Sequence, residues 1–149
     1  MKNLFEPADL EELNSRLSRL SPESNRHWGE MSVAQMLAHC SESMDMALGR
    51  TSPPRSWVGY IFGRAAKRSV LNDEPVRRNM PTDKSLLVNE ERDFTLERER
   101  LRASMGLFSI GGPDKCTQHP HSFFGAMTPQ EWARLAYKHL DHHFRQFGI

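Results

Sequence analysis

Seven histidines stand in this chain of 149 residues, and three of them fall within Tyr137-Lys138-His139-Leu140-Asp141-His142-His143. Imidazole ligates divalent metals and exchanges protons near neutral pH, so a histidine cluster is the place to look for chemistry. Residues four apart on a helix are surface neighbours, so His139 and His143 can converge on one ion with metal–nitrogen bonds of about 2.0–2.1 Å. Projected at about 100° per residue with Trp132 at zero, His139 falls at about 340° and His143 at about 20°. Leu135, Ala136, Leu140 and Phe147 flank them, which places both rings in the middle of the apolar arc. Asp141 and Lys138 point away, and His142 lies at the edge. Two buried neutral imidazoles without partners would each leave a polar nitrogen unsatisfied, at about 1–3 kcal/mol apiece. A metal satisfies both; a backbone carbonyl or a tyrosine hydroxyl does the same for an ordinary core histidine.

A third ligand must come from elsewhere. His39 lies beside the apolar stripe Val33, Met36, Leu37, Cys40, Met44 and Ala47, on a flank that can face a neighbouring helix. The segment Cys116-Thr117-Gln118-His119-Pro120-His121 offers C-x-x-H and H-x-H spacings, but a structural zinc wants four closed ligands, and no second pair closes this set. Cys40, on the apolar stripe, reads as a small buried hydrophobe.

The elements that carry these residues read as helices. Pro7 to Leu20 has Leu10, Leu13, Leu17 and Leu20 on one face, with Asp9, Glu11 and Glu12 in its opening turn. A second helix follows Ser32 as N-cap and runs to about Leu48, ahead of Gly49. A third spans Ser56 to about Leu71 despite Gly59 and Gly63 inside it. Asn72 to Ser85, with Pro75 and Pro81, is a long connection. The fourth runs from Asn89 to about Phe108 with Phe94, Leu101, Met105 and Phe108 inward, and Ile110-Gly111-Gly112-Pro113 breaks it. Asp114 to Met127 is irregular; Thr128-Pro129 then caps a last helix running to about Phe147. The expected fold class is all-α: one domain over residues 1–149, four helices in a bundle and a short extra helix at the N-terminus.

Composition sets the outer limits. Lys and Arg number 20 against 19 Asp and Glu, a net charge of +1, so no bulk field draws nucleic acid. Apolar residues make up 38%, and no run approaches the ~18 that a membrane span needs. Met1-Lys2-Asn3-Leu4-Phe5-Glu6-Pro7 has no apolar secretory core, and two cysteines fit a reducing compartment; the expected location is cytoplasmic.

The form H-x-x-H-H-x-x-Q of His139 to Gln146 resembles the last-helix signature of the DinB-like (DinB/YfiT) metalloenzyme superfamily. The stretch Trp28 to Cys40 is similar to that superfamily's first-ligand helix. More closely, His121-Ser122-Phe123-Phe124-Gly125, Thr128 to Trp132, and His139 to Gly148 resemble one uncharacterised subfamily, a domain of unknown function. Its loop usually reads H-P-F-F-G, and here Ser122 takes the proline position. The resemblance implies an antiparallel four-helix bundle with one metal held by His39, His139 and His143, and with His142 as a non-ligand. Three imidazoles leave coordination positions open, as in catalytic rather than structural sites, and suit zinc first and nickel as well.

Characterised members of the superfamily include thiol-dependent enzymes. The resemblance therefore implies a transferase in which a low-molecular-weight thiol attacks a small electrophile. A metal-dependent hydrolase is the second reading and would need His121 or Glu42 facing the ion; a non-catalytic bundle with a structural or absent metal is the third. Expected partners are a small molecule, the thiol and a second copy of the chain as a homodimer, with neither nucleic acid nor membrane.

Other residues carry two readings each. Gln146 is either a partner to a ligand imidazole or an exposed helix-end residue. Arg64, Lys67, Arg68, Arg77 and Arg78 either receive an anionic substrate or complement a helix dipole. Trp57, Tyr60 and Phe62 pack into the bundle or a dimer seam; Met31, Met36, Met44 and Met46 fill the core or line a pocket. Glu97 to Arg102 reads as a solvated face.

Overall fold

In the computed structural model, residues 1–78 and 86–149 are described; the part of the expected connection at 79–85 lies outside them. Among the described residues the chain is all-helical, with α1 (Pro7–Leu17), α2 (Val33–Ala47), α3 (Trp57–Val70), α4 (Phe94–Lys115) and α5 (Pro129–Gln146), and with no strand beyond an isolated bridge between His121 and Gly125. None of these helices is long and apolar enough to cross a membrane.

Local chemistry sets the helix starts. Ser32 Oγ accepts from the Gln35 amide at 3.2 Å while Gln35 Oε1 accepts from the Ser32 amide at 2.9 Å, a reciprocal cap on α2. Thr128 and Glu131 repeat the arrangement on α5, with Pro129 in the first turn. α4 begins at Phe94, five residues later than expected, because Asp93 Oδ1 accepts from the Leu96 amide at 2.8 Å and the polar run before it has no apolar face to bury. The predicted break at Gly112 is present, with φ 57° and ψ −151°, but a helical turn resumes beyond it to Lys115. α1 stops at Leu17 rather than Leu20, with Ser18 as its C-cap, although Leu20 still reaches the core.

α2 packs most extensively on α4 and also on α5, while α1 packs on α4 and α5. Leu13, Leu17, Met36, Leu37, Met44, Leu101, Met105, Phe108, Leu140 and Phe144 are fully buried between them, each worth about 1.5–3 kcal/mol of burial. The methionines at 36, 44 and 46 are core residues. The roles expected for the first and third helices are exchanged. α1 joins the packed set, whereas α3 lies against the loop 122–126, with Trp57, Tyr60 and Phe62 exposed rather than packed into a bundle. An apolar pattern alone could not make that choice, since both helices are amphipathic.

Glu97 to Arg102 is only in part the charge-paired solvated face the pattern indicates: Glu99 is exposed and pairs with Arg98 and Arg102. Glu97 is buried, and Arg100 reaches across to α2, where it meets Glu42 at 2.8 Å and Asp45 at 2.6 Å. Asp45 also holds Arg50 at 2.7 Å, and Arg50 in turn reaches Ser104 at 3.1 Å. Asp45→Ala would leave both guanidiniums short of their carboxylate. We expect it to cost about 2–3 kcal/mol in urea denaturation, between the values for exposed and fully buried pairs; a change within about 0.5 kcal/mol would show the network to be ornamental.

Candidate metal centre

The α2–α5 seam gathers three imidazoles. His39 is buried on α2, and His139 and His143 lie one turn apart on α5. Their ring centroids form a near-equilateral triangle with sides of 4.8, 4.6 and 4.7 Å. One ring nitrogen from each lies within 4.8 Å of those of the others. Among the described residues this is the one group of three or more His, Cys, Asp or Glu side chains so arranged.

The surroundings dictate where two of the protons sit. His39 Nδ1 is 2.8 Å from the Leu86 carbonyl, which only accepts, so the N–H is on Nδ1 and the Nε2 lone pair turns inward. His39 Nε2 then faces His139 Nε2 at 2.9 Å. Gln146 Nε2 donates to the Trp28 carbonyl at 2.7 Å, which turns Gln146 Oε1 towards His143 Nδ1 at 2.9 Å. His143 therefore also carries its proton on Nδ1 and presents Nε2. Gln146 is buried, so of its two readings the ligand-partner one matches its position. A signal for this existed in the chain: at about 320° on the α5 projection, Gln146 falls beside His139.

Burial holds all three rings neutral. It pushes His143 down to about 3, with His39 adding to the effect and the Gln146 hydrogen bond opposing it. His139, which keeps part of its surface accessible, lies well below the ordinary imidazole value through burial and the proximity of His143 and His39. His39 is lowered by burial, against the Leu86 hydrogen bond. The donor set fits a divalent ion. Three neutral imidazoles converge, two have their protons tied on the far nitrogen, and tetrahedral bonds of about 2.0–2.1 Å would set ligand nitrogens about 3.3 Å apart, against 2.9 Å between His39 Nε2 and His139 Nε2 and no more than 4.8 Å for the other pairs.

The direction of these shifts carries a stability consequence. The unfolded chain takes up protons on these histidines at about pH 6.5, before the folded one does, so metal-free protein loses stability as pH falls below that value. For His143 the loss continues until pH reaches about 3. Thermal melts of chelator-treated protein from about pH 7.5 to 4.5 check this; a flat profile would contradict a neutral buried cluster.

The remaining candidates go elsewhere. His142 stands edge-on to Trp28 at 5.9 Å and bonds the Val76 backbone, outside the triangle. His121 Nδ1 accepts the amides of Phe123 at 3.0 Å and Phe124 at 3.3 Å, ordering the loop, and its ring lies against Trp132. Glu42 is held by Arg100. Cys40 and Cys116 are free and buried, both thiols pushed up by burial, and Cys116 gathers no ligand set with His119 or His121 among the described residues. Lys67 bonds Ala126 and Glu131, and Arg78 lies 4.0 Å above Trp28. Two contributors escaped the sequence reading, the carbonyls of Leu86 and Trp28. Main-chain acceptors leave no trace in residue type.

Gly29 has a visible signature. Its φ is +78°, a backbone conformation that favours glycine, and a Cβ there would displace the Gln146 Nε2 that now approaches it.

Neither the comparison with curated proteins nor that with solved structures finds a match. A family model described as "Protein of unknown function (DUF1569)" matches residues 2–148. Spanning all but the two terminal residues, that match shows the chain to belong to the DUF1569 family.

Proposed function

We propose that this chain is a metal-dependent enzyme of the DinB-like superfamily, an antiparallel four-helix bundle that holds one zinc or nickel ion on His39, His139 and His143. Its proposed reaction forms a bond from the sulfur of a low-molecular-weight thiol to a small electrophile, whose leaving group departs with the electron pair of the broken bond while the thiol proton passes to solvent. The observation that carries this reading is the shared orientation of the imidazoles: Leu86 and Gln146 tie Nδ1 of His39 and His143, so both Nε2 lone pairs face the position that His139 also borders. A bound ion there would supply a Lewis-acid centre with coordination positions left for ligands from solution.

Among the described residues, two side chains near the site favour the thiol reading over the hydrolytic one. Activating water calls for a group beside the site to manage its proton. Glu42 is engaged with Arg100 on α4, and His121 Nδ1 is committed to two loop amides. A thiol, with an ordinary pKa of about 8.5, gives up its proton far more readily and asks for no strong base.

The test is turnover of a panel of small electrophiles by metal-loaded protein, with and without added thiols. Saturable turnover that strictly needs the thiol supports the transferase. Turnover without it would shift the reading to hydrolysis, and a stoichiometric metal with no turnover in either arm would reduce the centre to a structural one.

A further inference from the structure

Lys138 points away from the imidazole triangle, at about 240° on the α5 projection, where a solvated cation is expected. It is instead partly buried and engaged with main chain. Its Nζ donates to the Asn72 carbonyl at 2.5 Å and to the Glu74 carbonyl at 2.6 Å. Asn72 Oδ1 accepts from the Glu74 amide at 3.0 Å, a local turn that presents both carbonyls to one ammonium. Hydrogen bonds from a charged donor are about twice as strong as neutral ones, so this is a firm anchor for a stretch with no helix of its own.

From that anchor the chain runs along α5 towards the ligand histidines. His142, one turn beyond Lys138 and at about 280°, bonds the backbone of Val76. The spacings agree: four helical residues rise about 6 Å, and the two residues from Glu74 to Val76 reach at most about 7 Å. Two residues further, the Arg78 guanidinium lies 4.0 Å above the Trp28 ring, which stands edge-on to His142 at 5.9 Å. The Trp28 carbonyl accepts from Gln146 Nε2 at 2.7 Å, and Gln146 Oε1 meets His143 Nδ1 at 2.9 Å. Residues 72–78 are thus fastened at three points, the last of them on the loop that holds Gln146 against a ligand.

We propose that Lys138 is a positioning residue for the metal centre: it fastens residues 72–78 along α5, and through Trp28 and Gln146 that segment holds His143 in the tautomer that presents Nε2. Its effect on metal affinity rests on the metal reading above; its effect on the tautomer does not. Removing the Lys138 donors frees the Asn72 and Glu74 carbonyls, which loosens Val76 from His142 and Arg78 from Trp28. The Trp28 loop then holds Gln146 less firmly, and His143 loses the fixed acceptor on its Nδ1 side. Linkage is reciprocal, so metal binding should fasten the segment by the same factor that the fastened segment raises affinity.

Two substitutions in the full chain test it: Lys138→Met keeps the apolar stem without the donors, and Lys138→Arg keeps donors. In zinc competition with a chromophoric chelator, Lys138→Met should bind about 3–10-fold more weakly and Lys138→Arg within about 2-fold of the wild type. In metal-free protein, nitrogen-15 spectra should show His143 populating both tautomers in Lys138→Met and holding Nδ1–H in Lys138→Arg. Asn72→Ala, at an exposed position, should act in the same direction and guards against a folding defect in the helix variant. Trypsin reads the fastening itself, because cleavage between Arg77 and Arg78 requires the segment to leave α5. That cleavage should be about 3–10-fold faster in Lys138→Met, and zinc should slow it in the wild type. If Lys138 acts through Gln146, adding Lys138→Met to Gln146→Leu should weaken zinc binding no further. Additive losses in the double variant would overturn the proposal. So would faster cleavage with an unchanged His143 tautomer, which would leave Lys138 a surface fastening only. A wild type that takes up no zinc would sink the metal reading, while mixed tautomers in Lys138→Met would still uphold the role of Lys138.

Discussion

Untagged protein is expected to hold about one equivalent of zinc or nickel, and His139→Ala and His143→Ala each to lose it. Removing an outer partner of a ligand costs about 10–100-fold in affinity, so removing the ligand itself should exceed 100-fold. Inductively coupled plasma mass spectrometry on the purified proteins reads the stoichiometry, and competition with a chromophoric chelator reads the affinity. His139 is the cleaner position, because among the described residues its ring nitrogen approaches another imidazole and no backbone group. His39→Ala would strip the Leu86 carbonyl of its donor and mix a folding effect into the result. Metal at 100 times its dissociation constant should stabilise the wild type by about 2.7 kcal/mol and the variants by much less. Wild-type protein that is metal-free and takes none up on addition would demote the three histidines to core packing.

Gln146 should come second in effect. It is buried, accepts from His143 Nδ1 and donates to the Trp28 carbonyl, so one side chain sets the tautomer of a ligand and ties it to the loop before α2. Gln146→Leu should lower metal affinity by about 10–100-fold. Gln146→Glu keeps an acceptor for His143 and should retain most of that affinity, although the Trp28 carbonyl loses its donor. A merely structural role would predict equal losses in both. Nitrogen-15 spectra of the metal-free protein give a readout that needs no ion: His143 should hold its proton on Nδ1 in the wild type and populate both tautomers in Gln146→Leu. Gly29→Ala attacks the same contact from the other side, because its Cβ would push on the Gln146 amide in a positive-φ position, and it should shift affinity in the same direction. Unchanged affinity and an unchanged tautomer in Gln146→Leu would reject the positioning role.

Much of this arrangement is a matter of short-range rules that residue order alone expresses. Ser32 with Gln35, and Thr128 with Glu131, cap helices through bonds that span three residues, so their starts were legible without any fold. The four-residue spacing of His139 and His143 puts both rings on one face of any helix that contains them. Where short-range signals compete, the fold chooses between them. Asp93 outweighed Asn89 as the start of α4, and Gly112 kinked the helix without ending it.

What the chain order determined by itself was therefore the set of helices, the apolar stripes and the pairing of two histidines on α5. Only the tertiary structure decided that α1 rather than α3 would be packed among the other helices, that Arg100 would cross to Asp45, and that the Leu86 carbonyl would orient the His39 ring towards His139. The physical reason is range. Helical periodicity is settled over a few residues of backbone. Which amphipathic face meets which, and which loop carbonyl arrives beside an imidazole, depends on closures between distant segments, such as Leu86 onto His39 and Trp28 onto Gln146, whose residue types carry no mark of their partners.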